Sequence, residues 1–293
     1  MGRAEALPHR CRARLQPCQM RRRLVTPRFE LSKWYMDCVS PDGDALVAYS
    51  ADLSWRRLHV GYEGALQARA GHEPVASSSL GSHGAPLVDG SRITWHSPAL
   101  AINGIWRDGP APIRETIYHS ADGVVEWSCL MPAASARLES RSGTLDGCGY
   151  VEHLRMTVPP WRLPITSLRW GRIAAEDEAI VWIQWLGDFH ATIAYSGGTR
   201  VTPLHVDDGR VALADGTTVE IDRGSVLRRG SLGRTVLSSI PALHRLAPLR
   251  ILSTEECKWL SRATVTRPGR AARETWAIHE LVTWPQRKLA RPG

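Results

Sequence analysis

Turn signals punctuate this 293-residue chain at intervals of about eight to twelve residues, and between them apolar side chains alternate with a period of two. Pro41-Asp42-Gly43-Asp44 separates the strand-like runs 29–39 and 45–55. Val47, Tyr49, Ala51, Leu53 and Trp55 share one face of the second run. Ser120-Ala121-Asp122-Gly123 stands between 114–119 and 124–131, and Asp215-Gly216 between 211–214 and 217–221. Further strand-like runs cover 58–68, 92–97, 150–158, 167–173, 179–186, 190–195 and 275–284, while 69–90 reads as a loop. Amphipathic helices are nearly absent. The best helix-like stretch, 238–249, is confined by Pro241 and Pro248. The pattern predicts an all-β protein of barrels or sandwiches. Two barrel-sized halves fit the length, 29–145 and 146–285, flanked by short basic segments at 1–28 and 286–293.

Hydrophobic residues make up 43% of the chain and charged residues 23%, values of a globular rather than a disordered protein. The longest clean apolar run, 179–183, falls far short of the about 20 residues of a membrane helix. The net charge of +8 is concentrated, because residues 1–28 hold eight arginines against Glu5 and leave the remainder at +1. Nucleic acid is therefore not the expected partner of the body. The basic segment reads as a disordered tail, as residues upstream of a true start at Met20, or as an arm that touches anionic membrane peripherally. It lacks the apolar stretch of a secretory signal, so a cytoplasmic protein, peripheral at most to the inner membrane, is expected. Arginine outnumbers lysine 34 to 3. The six cysteines form no C-x-x-C and no zinc spacing, so neither a disulfide, a metal nor a cofactor is called for.

Twelve Trp accompany two Phe and six Tyr, an imbalance that suggests broad flat walls around a ligand. Trp127, Trp170, Trp182 and Trp185 lie in strand-like runs and, with Tyr49, are candidate ligand-binding residues. The sharpest feature is Gly147-Cys148-Gly149-Tyr150-Val151-Glu152-His153-Leu154-Arg155-Met156. Alternation puts Glu152 on one face with Tyr150, Leu154, Met156 and Val158, and His153 on the other. An inward carboxyl without a cationic partner keeps its proton near neutral pH and is a candidate general acid, with Tyr150 to orient it. The competing reading is a structural Glu paired to an arginine or a tyrosine hydroxyl. The last strand repeats the theme, with Glu280 on a face shared by Trp276, Ile278, Val282 and Trp284, and His279 opposite. The pattern leaves open whether the two acids meet one pocket or two, and whether the halves are a repeat.

Trp34-Tyr35-Met36-Asp37, Pro41-Asp42-Gly43 and Val47-Ala48-Tyr49 resemble the first hairpin of the lipocalin-like AttH and carotenoid 1,2-hydratase (hydroxyneurosporene synthase) family. Gly149-Tyr150-Val151-Glu152-His153, followed by Leu168-Arg169-Trp170-Gly171-Arg172, resembles the centre of that family. The likeness runs through scattered short motifs over about residues 29–285. It implies two successive lipocalin-like antiparallel barrels. It also implies a hydro-lyase acting on a terminal carotenoid double bond, as in carotenoid biosynthesis, or a cyclase of related substrates. In the hydratases an Asp two residues after a Tyr is the proton donor, and Tyr150-Val151-Glu152 has that spacing with Glu in its place. Their upstream His-x-Trp aligns with Val125-Glu126-Trp127, which keeps the Trp and lacks the His.

Two functions of different class fit these residues. One is proton-initiated hydration, isomerisation or cyclisation of an apolar, isoprenoid-like molecule, with Glu152 as acid and aromatic faces steadying the cation. The other is non-catalytic carriage of such a lipid, in which Glu152 tunes affinity or stability alone. A third, docking on a membrane surface or nucleic acid, depends on residues 1–28.

Overall fold

The computed structural model describes residues 29–81, 84–175, 179–222 and 224–285. The basic segments 1–28 and 286–293, and the membrane contact expected of the first, lie outside the described residues. The first half forms β1 (Phe29–Val39), β2 (Ala45–Trp55), β3 (Leu58–Ala68), β4 (Val75–Leu80) and β5 (Leu87–Asp89). It continues with β6 (Arg92–Ser97), β7 (Ile102–Arg107), β8 (Ile113–Ser120), β9 (Gly123–Ser140) and β10 (Gly143–Met156). The second half forms β11 (Ser167–Ala174), β12 (Ile180–Leu186), β13 (Ala191–Ser196), β14 (Thr199–Val201) and β15 (Pro203–Val206). Then come β16 (Arg210–Leu213), β17 (Thr218–Ile221), β18 (Ser225–Ser231), β19 (Glu255–Thr266) and β20 (Arg273–Thr283). Among the described residues no helix is long and apolar enough to cross a membrane.

The first sheet runs β4-β3-β2-β1-β10-β9-β7-β6-β5, with β8 paired to β9. The second runs β14-β13-β12-β11-β20-β19-β17-β16-β15, with β18 paired to β19. Every strand of the first sheet thus has its counterpart ten places later, and the molecule is two successive antiparallel barrels of one topology.

The boundary between the halves is not at 145. β10 crosses that point unbroken and pairs with β1 from Leu31↔Met156 to Val39↔Cys148. What ends the strand is Pro159-Pro160, since proline offers no donor to a ladder, and a 3₁₀ turn at Pro160–Arg162 leads on to β11. The segment 69–90 is not a loop throughout, because it holds β4 and β5. Both are exposed edge strands, one of them serine-rich, and such strands lack the buried face that period-two patterning detects. The helical stretch near 238–249 is present as Pro241–Leu246 and Leu249–Leu252.

β1 and β2 are buried on both faces. Met36, Cys38, Leu46 and Ala48 meet Ile93, Trp106 and Leu138 inside the first barrel. Tyr35, Val39, Val47 and Tyr49 point the other way, toward the second barrel. β11 and β12 behave alike: Ile173, Ile180 and Trp182 pack inside their own barrel with Val211 and Val265, while Trp170, Val181, Ile183 and Trp185 face the first. Apolar layers therefore lie inside each barrel and again between the two. Trp182, expected at a ligand, is instead in the second barrel's own core, its indole over Gly171, where a Cβ would come within 2.2 Å of the ring. The run 179–186 is apolar on both faces, so alternation could not assign it a side.

Polar contacts cross between the barrels and hold them in register, an ion pair foremost among them. Arg172 Nε donates to Asp37 Oδ2 at 3.1 Å, Nη2 donates to Oδ1, and Nη2 also reaches the Cys148 carbonyl at 3.3 Å. Both side chains are 0% exposed. Burial pushes the Asp37 carboxyl up, and the Arg172 guanidinium opposes it. At the hairpin after β1, Trp276 Nε1 donates to the Pro41 carbonyl at 3.1 Å. Its ring lies over Gly43, whose φ of 90° and lack of a side chain both suit the turn.

Arg172→Met strands a buried carboxylate and is expected to lower the unfolding free energy by about 3–5 kcal/mol, while the double variant Asp37→Leu/Arg172→Met regains most of it. Urea unfolding of the parent and both variants checks this. A double variant as weak as the single would show that the pair contributes packing rather than charge.

Candidate functional site

A cavity of about 350 Å³ lies between the barrels. Several strands pass along it, and their polar members cluster at one end: Lys33 on β1, Tyr49 on β2, Glu152 on β10, Trp170 on β11 and Glu280 on β20. The registers explain the clustering, since Tyr35 stands opposite both Tyr49 and Glu152, and Trp170 opposite Glu280. Farther along, the same strands present Leu31, Leu53, Met156, Val282 and, just past β20, Trp284. Trp161 and Leu163 of the inter-barrel segment and Ile240 and Leu243 of the helical stretch complete the apolar end. Arg250 ties these two segments together by donating to the Trp161 and Ile165 carbonyls, each at 2.8 Å.

Glu152 is held by one oxygen. Its Oε2 accepts from Trp127 Nε1 at 2.6 Å, from the Tyr150 hydroxyl at 2.7 Å and from Trp170 Nε1 at 3.1 Å. Trp170 belongs to the second barrel, so the full set of donors exists only where the barrels meet. No described residue hydrogen-bonds Oε1, which is the oxygen left for a proton. Burial pushes this carboxyl above the usual glutamate range and outweighs the Trp127 and Tyr150 donors and the charge of Lys33.

Glu280 lines the same cavity in the opposite state. Burial works against its ionisation too, yet Lys258, Lys33 and Arg228 hold its carboxyl below the usual range. Lys258 stands beside it in register and donates to Glu280 Oε2. The corresponding neighbour of Glu152 is Cys129, a thiol pushed well up by burial and so uncharged. Arg228 forms a second ion pair, donating to Glu256 Oε1 from Nε at 3.0 Å and from Nη2 at 2.5 Å. Three buried polar atoms at the cavity, the Tyr49 hydroxyl and the indole nitrogens of Trp185 and Trp284, have no partner among the described residues.

Of the expected residues, Glu152, Trp127, Trp170, Trp185, Tyr49 and Glu280 meet at this one cavity. Tyr150 acts through its bond to Glu152. The two histidines point away, as alternation required. His153 bonds the Ser32 hydroxyl at 2.8 Å beside Trp34. His279 bonds Ser261 at 2.9 Å and stacks on Trp259, with burial pushing its imidazole down to about 4. Sequence reasoning passed over Lys33, Lys258 and the Arg228–Glu256 pair. A signal for the first two existed, because they are two of just three lysines in an arginine-rich chain.

Neither a family model nor a curated protein matches this sequence. Solved structures do match. A protein assigned as AttH from Nitrosomonas europaea has a TM-score of 0.55 over 87% of this chain and 92% of its own, at 11% identity. CghA in complex with Sch210972 has a TM-score of 0.51 over 87% of this chain and 89% of its own, at 10% identity. At such identities the likeness is one of fold, and the fold is the two-barrel lipocalin-like one that the sequence motifs implied.

A carboxyl whose folded value lies above its unfolded one binds its proton more tightly in the native state. Its contribution to stability is full below the ordinary glutamate value and is lost as pH rises through the raised value. Glu152→Gln is expected to flatten that decline, as measured by urea unfolding across the acidic to neutral range. A profile parallel to the parent's would mean that Glu152 ionises like a surface acid.

Proposed function

We propose that the chain takes an apolar, isoprenoid-like molecule into the cavity between its barrels and catalyses a proton-initiated hydration, isomerisation or cyclisation, with Glu152 as the acid. The observation that carries this reading is the carboxyl itself: pushed above the usual glutamate range by burial, facing an apolar cavity, and bonded by three donors on one oxygen. Burial keeps the proton in place until an alkene approaches. Transfer from Oε1 to the double bond leaves a carboxylate, and the same three donors then stabilise the charge that forms. An aromatic face of the cavity wall turned to the carbocation contributes about 0.5–2 kcal/mol. The ionised Glu280 adds a fixed negative charge at the same end.

Three outcomes then balance. Water adds to the cation and returns a proton to Glu152, for net hydration. A neighbouring C–H gives up its proton to Glu152, for isomerisation. A second double bond attacks the cation before that proton is returned, for cyclisation. The surrounding leucines and tryptophans restrict the access of bulk water and so decide among them.

Organic extraction of the purified protein with mass spectrometry identifies a bound molecule for turnover assays. Glu152→Gln is expected to reduce kcat by about 10²–10⁴-fold while ligand affinity is retained. Undiminished turnover in that variant removes Glu152 from the acid role. A ligand bound by parent and variant alike, and converted by neither, makes the protein a carrier.

A further inference from the structure

Among the described residues one cation of the cavity wall stands without an ion-pair partner. Glu280 is engaged by Lys258 and Glu256 by Arg228. Glu152 is bonded by Trp127, Tyr150 and Trp170. Lys33 lines the same cavity, and among the described residues no carboxylate pairs with its ammonium. Its compensation is the face of Tyr49 at 5.3 Å, a ring that Arg228 also approaches at 5.3 Å. The Tyr49 hydroxyl is itself buried without a partner. Burial presses the Lys33 ammonium toward the neutral amine, against the more distant pull of Glu280.

The residue type adds to this. In a chain with 34 arginines, one of the three lysines lines this cavity, a second, Lys258, pairs with Glu280 of its wall, and the third, Lys288, lies outside the described residues. Arginine would fill the space with a planar fork, whereas lysine sets a compact charge on a slim stem and leaves room beside it. The cavity is also polarised along its length. Lys33, Tyr49 and Glu152 gather at one end, and the wall beyond them is apolar as far as Trp284.

We infer that the ligand is an amphiphile with one carboxylate head, which docks on Lys33 Nζ while its apolar body runs along Leu31, Leu53, Met156 and Val282. The inference rests on the cavity being a ligand site, as proposed above, and adds the chemistry of the head and the direction in which the molecule lies. The head supplies the anionic partner that Lys33 lacks among the described residues. With the head beside Glu152, the double bond that receives the proton lies near the carboxylate rather than at the far end of the chain.

The test is a tryptophan-fluorescence titration at neutral pH with farnesoic acid, its methyl ester and farnesol, which share a body and differ in the head. The acid is expected to bind about tenfold or more tightly than the other two. Lys33→Met should erase that preference by weakening the acid alone. This variant removes an unpaired buried charge, so a Tm at or above the parent's accompanies it. Equal affinities for acid, ester and alcohol in the parent, or a preference that survives Lys33→Met, overturn the carboxylate inference and leave the apolar cavity standing. Failure of all three to bind overturns both.

Discussion

Two ionised side chains with no access to water, Asp37 and Arg172, fix how the barrels meet. A buried pair of this kind adds little net stability, since desolvation offsets much of the attraction. Its force is in what it forbids. Displacing one barrel against the other would strand both charges at a cost of several kcal/mol. The pair lies two residues along from Tyr35 and Trp170, the residues opposite Glu152 and Glu280. Holding Asp37 against Arg172 therefore also holds the Trp170 indole on Glu152, at 3.1 Å. The acid and its donors inherit their geometry from a contact that touches no ligand.

Glu152 and Glu280 occupy corresponding positions in the repeated sheets, on β10 and β20, and face one cavity. Their chemistry differs because their neighbours differ. Cys129 beside the first offers no charge, and Lys258 beside the second offers a full one. Environments that push two like groups apart are how one site comes to contain both an acid and a fixed anion.

Much of this was legible in the chain. The turns at 41–44, 120–123 and 215–216 and the alternation between them were sufficient for the all-β class. The inward aim of Glu152 and Glu280 followed from period two, because both lie in strands with one clearly apolar face. The site as a whole was less legible, for a physical reason. Strands buried on both faces carry no alternation to read, which is why Trp182, expected at a ligand, lies in a barrel core instead. The same two-sided burial of β1 and β2 is the mark of a cavity between barrels rather than within them. Lys33 and Lys258 were hidden because a charged residue in a strand ordinarily marks the solvent face, and here the pairing and the cavity reverse that rule.

The repeat has a consequence for what the molecule must be. A dimer of identical ten-strand units would place the same residue at both members of every equivalent pair. Aspartate would meet aspartate at the dry junction, or arginine would meet arginine. Each glutamate would have the same neighbour, and the two would gain or lose protons together. Joining the copies in one chain removes that obligation, so that each position can diverge from its counterpart. The segment 157–166 is in this sense more than a tether: covalent linkage is what lets two carboxyls with unlike neighbours face one cavity.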